Sequence, residues 1–241
     1  MPRFFKLKKL KLFSENKFGK YALYALGEIL LVVVGILIAL QINNWNEGKK
    51  QERLLAGIFQ NVSYDLERDT LLMNVAIAYY DIREKDSNKL LNDEFTREDF
   101  NTCATCPSMI TSYFPLTINN KGYSQLKDFY DDSKKRDSLT VDVVQFYTAF
   151  SAIMDELGGE VKSNTIQNLE HWRDNYPWFS KIVSGKEDDR FQEYMLTDQD
   201  FKNRVAYYNT IACKNYLQLL KAYKANAVVL LQKIDERNAE N

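Results

Sequence analysis

The chain has one histidine, His171, in 241 residues. A single imidazole excludes a His-rich metal site within one copy. There are three cysteines. A zinc centre needs about four ligands, and no second C-x-x-C or His pair is present. Nine glycines and four prolines are too few for a typical all-β or low-complexity chain and favour long helices. No Gly-rich phosphate loop occurs. A net excess of either charge is also missing, with 32 Lys+Arg against 33 Asp+Glu and a formal net charge of −1. Hydrophobic residues make up 45% and aromatic residues 13%, which argues against disorder.

The small net charge hides a split. Residues 1–20 hold seven basic residues (Arg3, Lys6, Lys8, Lys9, Lys11, Lys17, Lys20) and one acid, Glu15. The rest of the chain is acidic. Such asymmetry points to a membrane or nucleic-acid contact at one end. The stretch that follows settles the choice. Tyr21–Ile42 reads YALYALGEILLVVVGILIALQI, with Glu28 the one ionisable group. Its 22 residues reach about 33 Å as a helix, enough for a hydrocarbon core of roughly 30 Å. A buried core helix would show a polar face, and Leu30–Leu40 has none. A cleavable signal peptide has a shorter apolar region and a small-x-small exit; here the exit is Gln41-Ile42-Asn43-Asn44-Trp45. An uncleaved anchor is the expectation.

Basic residues set orientation. Seven precede the span, and Lys49, Lys50 and Arg53 follow it closely. The expected topology is a cytoplasmic segment 1–20, a transmembrane helix 21–42, and a periplasmic domain 43–241. Tyr21, Tyr24 and Trp45 suit the two interfacial aromatic belts as anchors. Residues 4–13 alternate bulky apolar and basic side chains. They read either as an amphipathic helix on the anionic leaflet or as a simple basic flank.

Glu28 lies about 10 Å into the span, where a carboxylate costs a few kcal/mol. Ala25, Glu28, Val32, Gly35 and Ala39 follow 3-4-3-4 spacing and share one face. Gly35 and Ala39 form a small-xxx-small pair that permits close helix approach. A polar group in line with small residues reads as an intramembrane helix contact, preferred over a Glu simply tolerated near the interface. A proton-conducting role lacks a second relay group.

The block Ser14–Tyr21, with Gly27-Glu28-Ile29 and Gly35–Glu47, resembles the N-terminal signature of an uncharacterised family of single-pass Bacteroidota membrane proteins. The resemblance is close over residues 14–47 and thereafter covers only helical pattern. It implies a Gram-negative inner membrane with a periplasmic domain. It implies no activity and transfers no catalytic residues.

Beyond the span the periodicity is helical throughout, which makes the expected fold class all-α: one transmembrane helix, then an elongated antiparallel bundle. The first long helix runs to Leu91, either continuing the span or restarting near Asn44. Leu55, Phe59, Val62, Leu66, Met73, Ala76 and Tyr80 mark its buried face, with Asp69 a polar exception. A loop region 92–120 holds a capping box, Thr96-x-x-Asp99. A short helix follows over 121–130, capped by Asn119 or Asn120. Another helix starts at Ser138 and buries Leu139, Val143, Phe146, Phe150, Ile153, Met154 and Leu157. Gly158-Gly159 weakens it and Pro177 ends it. A loop that contains the charged run 186–190 follows. The last helix is capped at Thr197 or Asp198 and buries Phe201, Val205, Tyr208, Ala212, Leu219, Tyr223, Leu230 and Ile234. Tyr79-Tyr80, Phe146-Tyr147 and Tyr207-Tyr208 are expected to stack as one aromatic layer.

Cys103 and Cys106 form a C-x-x-C expected to close as a local disulfide outside the cytoplasm. A thioredoxin-like role needs a βαβ setting, which the pattern lacks. Cys213 reads as a buried free thiol, with pairing to the loop cysteines the alternative, and His171 as structural or surface. The outward domain is acidic, so nucleic acid is not an expected partner. The expected partners are the lipid bilayer and either further copies or other envelope proteins. No cofactor and no enzyme activity are expected. The leading reading is a membrane-anchored interaction or scaffolding subunit; ligand binding in the bundle is the alternative, and a redox or hydrolytic enzyme follows.

Overall fold

The computed structural model describes residues 17–132 and 138–240. The basic residues 4–13 therefore lie outside the described part. Among the described residues every element is helical and no strand occurs. Contacts divide the chain into two units, 1–55 and 56–241.

Helix α1 runs over Lys17–Leu91 as one unbroken helix of 75 residues, so the restart near Asn44 does not occur. In the first unit its side chains are almost all exposed. This helix holds the one window, among the described residues, long and apolar enough to cross a membrane.

In the second unit the rest of α1 is a wall of a helical bundle. Phe59, Val62, Leu66, Met73, Ala76 and Tyr80 are fully buried. Helix α2 (Arg97–Thr102) opens on a complete capping box between Thr96 and Asp99. A 3₁₀ turn at Cys106–Ser108 follows, then α3 (Lys121–Asp132) and α4 (Ser138–Asn175). The Gly158-Gly159 pair does not interrupt α4. Two helices occupy the region read as loop, α5 (Phe179–Ile182) and α6 (Asp189–Thr197). Asp188, inside the charged run, is the N-cap of α6 and accepts from Arg190 N. Helix α7 (Gln199–Tyr208) is capped by Asp198, and α8 is Leu217–Glu240.

Between α7 and α8, Asn209–Tyr216 is a π-helical segment. It slides the buried face by one position. Phe201, Val205, Tyr208 and Ala212 are buried as their spacing predicts, but the next places fall to Tyr216 and Leu220. Leu219 is only partly buried, a correction that a constant 3.6-residue period could not supply. Ile153 is another correction. It is 44% exposed, because α4 turns Met154 inward in its place.

Helix α3 docks on α1 by backbone approach. A Cβ at Gly122 would come within 2.5 Å of Val62 N, so only glycine fits there. The Gly122 N–H donates to Asp65 Oδ2 on α1 at 2.7 Å. An acid of another helix thus takes the Gly122 N–H, in place of the cap expected from Asn119 or Asn120. Asn119 turns instead to Asp69, donating its backbone N–H at 3.1 Å and its Nδ2 at 2.6 Å.

Candidate functional site

Two regions carry the features that bear on function: the apolar part of α1 and the interior of the bundle. On α1, Ala25, Glu28, Val32, Gly35 and Ala39 are exposed. Their spacing places them along one line of the helix. Nothing lies within 4 Å of a Cβ built on Gly35, so this line is bare and open to close approach. Tyr21, Tyr24 and Trp45 are exposed as well. Lys49 Nζ sits over the Trp45 ring at 4.8 Å from its centroid, a cation–π pair suited to a headgroup layer.

Cys103 ends α2 and Cys106 opens the 3₁₀ turn. They are joined by a disulfide across a Cα–Cα distance of 5.4 Å. Asp86 Oδ2 on α1 is 3.6 Å from Cys103 Sγ. Burial pushes the Asp86 carboxyl up, against the pull of Lys85, Lys89 and Arg83. Thiolates are what bind metal, and in the disulfide neither sulfur is one; the bond closes the turn between α2 and the 3₁₀ segment beside Asp86.

The bundle interior holds a set of keyed polar contacts. Asp69, on the buried face of α1, accepts from Asn119 and from the Tyr223 hydroxyl at 2.6 Å. Desolvation holds its carboxyl above the ordinary 3.8, while the bonds from Tyr223 and Asn119 oppose that shift. Arg83 is 3% exposed. Its Nη2 donates to Ser112 Oγ at 2.8 Å, and its guanidinium lies 3.5 Å from the Tyr79 ring centre. His171 Nε2 and Asp200 Oδ2 are 3.0 Å apart. Asp200 also accepts from Tyr194 and Arg204. The acid partner of His171 is thus Asp200 of α7, while the neighbouring Asp174 pairs with Arg173. Cys213 is a buried free thiol, pushed up to about 12 by burial.

The aromatic pairs do not form one layer. Tyr80 meets Tyr216 and Tyr79 meets Phe114, whereas Phe146 packs on Phe150 and Tyr223. Tyr207 is 51% exposed and reaches Glu160. A cleft of about 240 Å³ opens beside Gly158 and Gly159, with Tyr216, Met154 and Phe114 in its wall. That is below the roughly 300 Å³ at which small-molecule pockets begin.

Residues 28–144 match the profile of a family of unknown function (DUF6090). That stretch begins at Glu28 and takes in Gly35, Asp65, Asp69, the disulfide and Gly122. It reaches well past residues 14–47, the part legible as a resemblance. No curated protein and no solved structure matches the chain.

Sequence reasoning missed Asp65 and the role of Asp69. Their periodic place on the buried face of α1 was the available signal. Their donors lie 50 or more positions away, where no local pattern points to them.

Proposed function

We propose that this chain is a membrane-anchored interaction subunit of a bacterial envelope. The apolar part of α1 spans the inner membrane with its N-terminus cytoplasmic, and the helical bundle stands in the periplasm. The reading rests on one observation: the exposed line Ala25, Glu28, Val32, Gly35 and Ala39, where an intramembrane carboxylate shares a face with open small residues. In hydrocarbon, close packing and interhelical hydrogen bonds drive association, and a carboxylate there is best met by a partner's polar group. The keyed and stapled bundle supplies a rigid body for such a subunit to carry.

Crosslinking of the full chain in native membranes tests this. Discrete higher bands are expected, weakened by Gly35→Leu and by Glu28→Leu. A monomer throughout overturns the assembly reading, and release of the chain from carbonate-washed membranes overturns the anchor.

A further inference from the structure

Within the bundle, α1 carries a second apolar line that faces solvent. Tyr64, Arg68, Leu71, Val75, Ala78 and Ile82 are all exposed. They recur at steps of four and three, the heptad spacing of a coiled-coil seam. Exposure reaches 67% at Leu71 and 50% at Ile82. Single exposed apolar residues are ordinary on protein surfaces, but a contiguous line of them marks an interaction surface. The line covers about 27 Å of helix.

The residue types say what fits it. In heptad terms Arg68, Val75 and Ile82 take the a positions, and Tyr64, Leu71 and Ala78 the d positions. β-Branched residues at a with Leu at d favour two parallel strands. The polar a residue, Arg68, follows the acidic g residue Glu67, which is also exposed. In a parallel pair an a side chain enters a hole bordered by the partner's preceding g residue. Each Arg68 then meets the other copy's Glu67, twice by the two-fold symmetry, which offsets the like charges at that layer. In the single chain the Arg68 guanidinium lies along the seam, 5.6 Å from the Tyr64 ring centre, with Nη1 donating to the Tyr64 hydroxyl at 3.2 Å. A shift of one heptad in register would set Glu67 beside Asn61 or Val75, against no cation, and Arg68 beside Gln60 or Asn74, against no acid.

We infer that this seam pairs two copies of the chain as a parallel, in-register two-stranded coil. The orientation rests on the anchored reading above: two copies held by the same end in one bilayer face each other in parallel. A seam of under three heptads is weak for free helices. Here the bundle already holds α1 helical, and tethering raises the effective concentration into the millimolar range.

The test uses the full chain in phospholipid vesicles, with one cysteine added at a time. Leu71→Cys, Val75→Cys and Ile82→Cys are each expected to give a disulfide-linked dimer on mild oxidation. Ser163→Cys and Ala225→Cys, exposed on other helices, are expected to give none. Arg68→Glu should lower crosslinking through Val75→Cys by about fivefold, and adding Glu67→Arg should restore it. Dimers through one seam position alone indicate an antiparallel pair and overturn the proposal. Seam yields no higher than those of the two controls also overturn it, as do adducts only with other proteins. An unchanged helical circular dichroism spectrum confirms that each variant folds. Seam crosslinks lost while the Gly35-dependent bands persist count against the seam alone. Seam crosslinks that survive Gly35→Leu and Glu28→Leu show that pairing does not depend on the intramembrane contact.

Discussion

Along residues 59–82, α1 is apolar on two faces, and the two have different fates. The inner face carries Phe59, Val62, Leu66, Met73, Ala76 and Tyr80, all buried. The outer face carries Tyr64, Leu71, Val75 and Ile82, each at least half exposed. Hydrophobicity does not separate them. The inner face also holds two acids that reach across to other elements: Asp65 takes the Gly122 N–H, and Asp69 takes Asn119 and Tyr223. Apolar contact is non-directional, whereas these bonds are made only in one register. The inner face is thereby assigned to its own chain, and the outer one stays available.

The sharpest way to break the comparison is Asp69→Ala. It leaves three donors without their acceptor: the part-buried Asn119 N–H and Nδ2 group and the buried Tyr223 hydroxyl. Each such loss costs about 1–3 kcal/mol, so a stability loss of about 3 kcal/mol or more is expected in denaturant unfolding of the full chain. A loss below 1 kcal/mol would mean that the keys do not hold the inner face.

Acid titration separates the buried key from a surface ion pair, because the two carry opposite signs. Burial raises the Asp69 carboxyl above 3.8. The folded chain then binds that proton more readily than the unfolded chain, so this contribution to stability grows as the pH falls toward 3.8. The salt bridge to Lys89 and the bonds from Thr96 lower Asp99 from 3.8 to about 2. Its contribution is present above 3.8 and is lost between 3.8 and about 2. Asp69→Asn should therefore steepen the loss of stability on acidification above pH 3.8, and Asp99→Asn should flatten it below. Unfolding midpoints measured across pH check both, and the same sign for the two variants would refute the assignment.

The smallest effect is expected on the outer face. Leu71→Ser removes an exposed side chain and should change stability by less than about 0.5 kcal/mol. Thermal unfolding in dilute detergent checks this. A larger loss would mean that the outer face is already packed within one copy.

Much of this was legible beforehand. The long helices announced themselves through the 3.6-residue period and their caps. The inner line of α1 was read residue by residue because burial imposes the period. The capping box at Thr96 and the cap at Asp198 are local chemistry, visible in four residues. What stayed hidden depends on distant partners or on a change of period. Asp65 caps a helix 57 positions away, and nothing near it signals that. The short helices α5 and α6 are held by ring packing among Trp172, Trp178, Phe191 and Tyr194, while α5 has only four residues and α6 opens inside a charged run, so neither shows a helical period. Leu219 was misplaced because the π segment adds to the count within a turn. The apolar line around Gly35 could be read directly, since its residues are exposed along one helix and their spacing needs no distant partner.

The π-helical segment carries a further constraint. Tyr208 and Ala212 before it, and Leu220 and Tyr223 after it, all face the interior only because Asn209–Tyr216 takes up one residue more than an α-helix would. The final stretch is thus phased by counting. Deleting one residue of that segment would remove the extra one and let it relax to an ordinary helix with everything downstream still in phase, whereas deleting a residue from the α-helical turns on either side would put the stretch beyond it about 100° out of phase relative to the bundle. The π segment thus absorbs a loss of length that the turns flanking it do not.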